Sequence, residues 1–394
     1  MRTLPLLLLL LATGVRSQDI PPVRVGGHPG FTRVVLDLPK GATYEIEPLG
    51  AALRVTLRGV GVSPGIRFVE RPELAGYVLE QHEDRAVLLL LTPQGATPRS
   101  GYRTLSLPAL EGEGERLVVD LSGAFVDRSP LTPQPAFRFV RASGRRFSVV
   151  VDAGHGGSDP GALGPVAEKW VTLELALRVR RFLQEAGVEV VLTREGDTAL
   201  SADKRTDLSY RAALANGKHL FVSIHANAAP PGKAEGWCGL EVYYHGPPGA
   251  RPFFPSPAPL PPTPSPLVTT PMELAAPLQP GGLEPTPTDL EDTPSPAPRM
   301  NSLRRQELSR SLASRVLAHM LGTTAAFNRG VRSADFYVLR HTTVPAVLVE
   351  VGYLSHPLEG LNLTDPHYLD RLAYGLAQGV LAYLENDHPL EPSP

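Results

Sequence analysis

The sequence predicts an α/β protein: a mainly parallel six-stranded sheet flanked by helices, preceded by a smaller all-β, sandwich-like domain. Three observations carry that expectation. Beyond residue 147, six apolar runs (FSVVVDA, VEVVLTR, LFVSIHAN, LEVYYH, DFYVLR and AVLVEVGYLSH) alternate with stretches of helical periodicity. Between residues 22 and 124, short segments alternate apolar and polar residues, as half-buried antiparallel strands do. Proline is the third signal: there are 42 prolines, about twice the usual share of roughly 5%, and they are unevenly spread. At 394 residues the chain accommodates two domains. A formal charge of −2 gives no electrostatic case for nucleic acid as a partner. The single cysteine, Cys238, excludes an intramolecular disulfide and reads as a small buried apolar residue.

Taken in order, residues 1–17 (MRTLPLLLLLLATGVRS) place Arg2 before a short apolar run, Leu4 to Leu11, and then small residues. That run is too short for a stable membrane anchor, so it reads as a secretory signal peptide. The expectation is an exported protein of the periplasm or cell envelope. In residues 22–124, VRVGG, TRVVLDL, TYEIEP, LRVTLRG, GYVLEQ, AVLLLLT and RLVVDLSG read as strands. No metal-ligand spacing or paired acids occur among them, and His28 and His82 read as surface or turn residues. Residues 125–146, with SPLTPQP and RASGRR, read as a linker.

Residues 147–385 form the second domain. Val149 to Val151 make a buried strand that ends in Asp152, and a glycine-rich loop then presents His155. Glu168 opens a helix whose Val171, Leu175, Val179, Phe182 and Leu183 share one face, with Gly187 as its stop. Further helices are expected over Asp207 to Ala215, 302–321 and 366–385. Residues 247–298 interrupt the pattern with 18 of the 42 prolines. Proline lacks an amide donor and fixes φ, so this insertion cannot join the sheet and reads as an extended, solvated excursion. Within it only MELAA, Met272 to Ala276, can begin a helix, and the flanking prolines confine it to a turn. Residues 386–394 are a tail.

Three strands each deliver a His or Glu near the carboxyl end: His155, His225 and Glu350. Parallel sheets bind ligands at that edge, so these groups should converge with Glu168 at its helix start. A lone histidine after a strand is usually structural; the weight rests on the combination. Two imidazoles and one carboxylate (His155, Glu168, His225) match the ligand set of a catalytic zinc site, with a fourth position open.

VDAGHGGSDPGALG, Glu168-Lys169, LTREGD, RAALAN, SIHAN and VLVEVGYLS, in that order, resemble the zinc-dependent N-acetylmuramoyl-L-alanine amidases. The resemblance spans residues 147–385 apart from the insertion. It implies a peptidoglycan hydrolase that cuts the amide between N-acetylmuramic acid and the first L-alanine. It also implies one zinc ion on His155, Glu168 and His225, with Glu350 as catalytic carboxylate, and leaves room for an activator or cell-division protein as partner. TRVVLDL and RLVVDLSG resemble the AMIN modules that help localise such enzymes on the cell wall. Ala153 stands where the family usually has Pro; Trp170 and Thr172 replace a common Asp and Asn, and His356 a common Asn.

Glu350, between Val349 and Val351, should be partly desolvated and its pKa raised, which suits a group that takes and returns a proton. Arg194 and Arg211 read first as structural ion pairs, with Arg211 also a candidate substrate contact. Asn227 either orients the His225 loop or touches substrate, and His356 is the one remaining histidine placed at the rim. The rival readings are another cell-wall zinc hydrolase, such as a carboxypeptidase, and a non-catalytic wall-binding protein.

Overall fold

The computed structural model describes residues 23–110, 112–132, 146–246, 254 and 302–386. The signal-peptide reading, the proline-rich insertion except Phe254, and the tail beyond Asn386 lie outside the described residues. The chain divides into two units, one of residues 1–98 with 102–122, the other of residues 99–101 with 123–394.

The first unit is all β. Its strands are β1 (Arg24–His28), β2 (Phe31–Pro39), β3 (Thr43–Pro48), β4 (Gly50–Arg58), β5 (Gly65–Phe68), β6 (Gly76–Gln81), β7 (Ala86–Ala96), β8 (Tyr102–Pro108) and β9 (Gly114–Leu121). They pair antiparallel in a four-stranded sheet, β1-β2-β9-β8, and a five-stranded sheet, β3-β4-β7-β6-β5. Period-two patterning explains the core. Val34 and Leu36 of β2, Leu53 and Val55 of β4, and Leu88 and Leu90 of β7 all turn inward to one cluster. Two strands escape sequence reading, β5 and β8, and both lie at sheet edges. Their residues are largely exposed, so no apolar alternation marks them.

The second unit is α/β. Its elements are β10 (Ser148–Ala153), α1 (Glu168–Glu185), β11 (Glu189–Leu192), α2 (Lys204–Ala213), β12 (Leu220–Asn227), β13 (Leu240–His245), α3 (Ser302–Thr324), β14 (Asn328–Ala334), α4 (Tyr337–His341), β15 (Ala346–Tyr353), α5 (Glu359–Asn362) and α6 (Pro366–Asn386). The sheet order is β11-β10-β12-β15-β13-β14. All neighbours are parallel except β13 with β15. Helices α1, α3 and α6 bury Val179, Val316 and Val380 against one face with Val149, Ile224 and Val349. Val338 and Leu339 of α4 join Phe221 and Leu348 in a smaller cluster on the other.

One strand was misplaced. DFYVLR reads as a strand from its aromatic and β-branched residues, yet Tyr337–His341 is a short helix. The sixth strand is instead NRGVRSA, whose single large apolar residue, Val331, gives no alternation. An edge position beside β13 supplies its pairing. Residues at the start of the stretch read as a linker belong to this unit. Val126 joins its core, Asp127 N–H donates to Thr324 O at 2.9 Å, and Arg371 Nη1 lies 3.2 Å from Asp127 Oδ2.

Candidate metal centre

The site lies at the carboxyl edge of β10 and β12. The penultimate residue of β10, Asp152, is buried and accepts hydrogen bonds from Thr193 Oγ1, Ser223 Oγ and Arg211 Nη1. Burial opposes its charge, but the Arg211 guanidinium and these hydroxyls outweigh that cost and hold its pKa below the ordinary value. The next three residues turn their carbonyls inward onto two arginines. Arg194 donates to Ala153 O and Gly154 O, and Arg211 donates to Ala153 O and His155 O. Thr172 Oγ1 of α1 adds a bond to Gly154 O at 2.7 Å. So clamped, His155 adopts a left-handed backbone, φ 63°, a conformation costly for a residue with a Cβ.

Two glycines are required by space. A Cβ on Gly154 would lie 2.5 Å from the His225 ring, and one on Gly161 would lie 2.4 Å from Glu168 Oε2. The small residues of the loop thus let the three functional side chains meet. His155 Nε2 is 3.1 Å from Glu168 Oε2, and His225 Nδ1 is 2.9 Å from Glu168 Oε1. The two imidazoles stand edge-on, 4.9 Å between centroids. One ligand atom from each of His155, Glu168 and His225 falls within 4.8 Å of the others.

The electrostatics set the three residues apart. Burial opposes the charge of Glu168, but hydrogen bonds from His155 and His225 outweigh it and hold the carboxyl far below its usual range. Backbone N–H groups of Ala162 and Ala226 donate to its two oxygens. Burial likewise lowers the His155 pKa, yet Glu168 and Asp159 overcome that and raise it. Asp159 Oδ2 lies 2.9 Å from His155 Nδ1, the outer carboxylate partner that metal-binding histidines usually have. One carboxylate, two imidazoles and a space kept free of Cβ atoms fit a divalent cation of the zinc type.

Glu350 is His225's register partner on β15. Its Oε2 is buried without a hydrogen-bond partner among the described residues. Desolvation, then the nearby Glu168 and Glu241, push its carboxyl well above the ordinary value. An unsatisfied carboxyl oxygen beside such a cluster is costly to bury, so packing alone does not account for it.

The structure turns other candidates away from substrate. Arg211 is buried, with donors taken by Asp152, Asp207, Ala153 O and His155 O, so its hydrogen bonds hold the loop rather than a ligand. Arg194 acts in the same way through carbonyls rather than ion pairs. Asn227 donates through Nδ2 to Glu241 Oε1 at 2.9 Å, and its Oδ1 accepts from Ala228 N–H, which is an orienting role. His356 leaves the rim altogether: it is 1% exposed, and its Nδ1 accepts from Leu358 and Glu359 N–H. Cys238 is buried. Sequence reading passed over Glu241, which is buried opposite Glu350 in the β13–β15 register. A lone carboxylate inside the apolar LEVYY run is the signal that marks it.

Comparison with known proteins follows the same boundaries. A family described as N-acetylmuramoyl-L-alanine amidase matches residues 149–382. The amidase AmiC of Neisseria meningitidis is 31% identical over 413 residues, covering 95% of this chain and 92% of its own. The germination-specific N-acetylmuramoyl-L-alanine amidase of Bacillus subtilis is 30% identical over 246 residues, 60% of this chain and 78% of that one. Among solved structures, the amidase AmiC2 of Nostoc punctiforme is similar at 27% identity, covering 61% of this chain and 98% of that one, with a TM-score of 0.42.

Proposed function

The chain belongs to the N-acetylmuramoyl-L-alanine amidase family and is a peptidoglycan hydrolase; from that premise we propose that His155, Glu168 and His225 hold one zinc ion and that Glu350 is the acid–base catalyst. The observation that carries the reading is the 4.8 Å cluster of ligand atoms one strand away from an unpartnered, buried carboxyl oxygen. Bound there, zinc supplies Lewis acidity to the amide carbonyl and lowers the pKa of water toward about 7. Everything else falls to the chain's own residues. Arg194 and Arg211 fix the loop carbonyls, so His155 is presented in one orientation. Asp159 on its Nδ1 leaves Nε2 turned to the cluster. Glu350 takes a proton from the attacking water and returns it to the departing L-alanine amine. Its low solvation favours both transfers, because its pKa lies nearer that of the groups it serves.

The test is a digest of purified sacculi by the full chain, with and without chelator, read by mass spectrometry. Free stem peptides and unsubstituted glycan are expected, abolished by chelation and restored by zinc. Shortened stems still attached to glycan would identify a carboxypeptidase, and chelator-resistant release would overturn the metal assignment.

The all-β unit is assigned a positioning role, as an AMIN-like wall-targeting module, in an exported envelope protein. Its support is the paired-sheet sandwich with one shared core. Among the described residues no helix is long and apolar enough to cross a membrane. Removing residues 22–124 should leave turnover of soluble muropeptides within a few-fold while reducing co-sedimentation with insoluble sacculi. Equal sedimentation of both proteins would sink the targeting role.

A further inference from the structure

The edge that carries Glu350 continues for two more strands, and its far end is basic. His225 on β12, Glu350 on β15, Glu241 on β13 and Gly330 on β14 are successive register partners. At about 4.8 Å per strand, Glu350 and β14 are roughly 10 Å apart along the sheet edge. Arg329 and Arg332 flank Gly330 there. Glu241 is the single carboxylate within 4.0 Å of either guanidinium among the described residues, 3.0 Å from Arg332 Nε and 3.7 Å from Arg329 Nε.

The arrangement is unbalanced in two ways. Two cations face one carboxylate, and only its Oε2 is left to them: Oε1 accepts from Asn227 Nδ2 and from Tyr353 O–H, at 2.9 and 2.7 Å. Neither arginine's buried Nε–H has a hydrogen-bond partner among the described residues. The two side chains differ in freedom. Arg329 lies over the rings of Trp237 and Tyr353, 4.7 and 5.0 Å from their centroids, which fixes its plane. Beyond its ion pair with Glu241, Arg332 is held by one long bond, Nη2 to Arg329 O at 3.4 Å, and its side chain is 35% exposed. A positive charge with unused planar donors, backed by a second arginine that cannot move away, suits a carboxylate.

We propose that Arg332, backed by Arg329 and Glu241, is a subsite for a free carboxylate on the peptide released by the amidase reaction. The proposal rests on the amidase assignment and names a feature of its substrate. An extended peptide spans about 3.3–3.6 Å per residue, so a carboxylate within three residues of the scissile amide bridges the roughly 10 Å from Glu350 to β14. The stem is thereby drawn across the edge from the metal ligands toward β14, with its scissile end at Glu350. Glu241 orients Arg332 and prevents the pair of arginines from repelling each other out of line.

The experiment uses the zinc-loaded full chain and two synthetic muramoyl-L-alanyl peptides. They differ only in bearing a free carboxylate or its primary carboxamide two to three residues beyond the scissile bond. Wild type should favour the carboxylate at least tenfold in kcat/KM. Arg332→Gln should bring that ratio to about one, and Arg332→Lys should keep part of it. A merely structural arginine would depress both substrates alike and leave the ratio standing, so a preserved ratio in Arg332→Gln overturns the subsite. Equal use of both peptides by wild type overturns it too while leaving the amidase assignment intact. Cleavage of neither peptide strikes that assignment itself.

Discussion

The α/β unit contains two histidine–glutamate arrangements that share residue types and little else. At the strand edge, Glu168 sits between His155 and His225, and its charge is favoured. Beyond β15, Glu359 lies against His356, and both charges are suppressed. Burial drives His356 down to about 4 and Glu359 up to about 7. The difference is in what the polar atoms face. Glu359 accepts from the Gly239 and Tyr353 amides, and His356 from the Leu358 and Glu359 amides, so this pair ties a turn together. The imidazoles at the edge keep partly exposed rings, 19% and 21% by side chain, with Glu168 at their centre. Burial with backbone partners makes a neutral brace; a shared carboxylate on an open edge makes a candidate ligand set.

The comparison is broken most directly at the edge. His225→Ala removes one of three proposed protein ligands and should lose zinc and activity together, with little rescue by added metal. Glu350→Gln keeps volume but cannot accept a proton at neutral pH. It should hold near-stoichiometric zinc while turnover falls by about 10²–10⁴-fold, the scale of a positioned acid–base group. Metal analysis beside turnover on muropeptides decides between them. Loss of zinc in Glu350→Gln would make Glu350 a ligand, and full activity would place the base elsewhere.

A smaller effect tests the brace. The His356 pKa is depressed from about 6.5 in the unfolded chain to about 4, so the unfolded state binds more protons between those values. Its contribution to stability is present above pH 6.5 and is lost as pH falls toward 4. At 1.36 kcal/mol per unit, the loss approaches about 3 kcal/mol. Glu359, raised above its unfolded value, works in the opposite direction: its contribution is present at low pH and is lost as pH rises through 7. His356→Asn can accept the same two amides without titrating. Denaturant unfolding of both proteins should therefore show the variant gaining on wild type by up to about 3 kcal/mol between pH 7 and pH 4. Parallel stability curves would mean that the imidazole titrates in the folded protein as it does in the unfolded chain, and would sink the brace.

The fold class, both sets of core strands and the positions of the candidate site residues were legible in the sequence because each rests on local pattern. Period-two alternation in TRVVLDL and LRVTLRG, both-face burial in SVVVDA and LFVSIHAN, and one-sided apolar spacing from Val171 to Leu183 follow from backbone geometry over a few residues. His155, Glu168, His225 and Glu350 could be picked out because strand ends and a helix start fix where such side chains point. The tertiary structure alone decided the rest. Whether NRGVRSA or DFYVLR pairs with β13 depends on a neighbour distant in sequence. Whether Arg211 and His356 face ligand or core depends on what is packed against them, and Asp152, Asp207 and the backbone amides took them inward. Glu241 and Arg332 became a pair only when β13 and β14 were laid side by side, since no spacing along the chain encodes contact across a sheet.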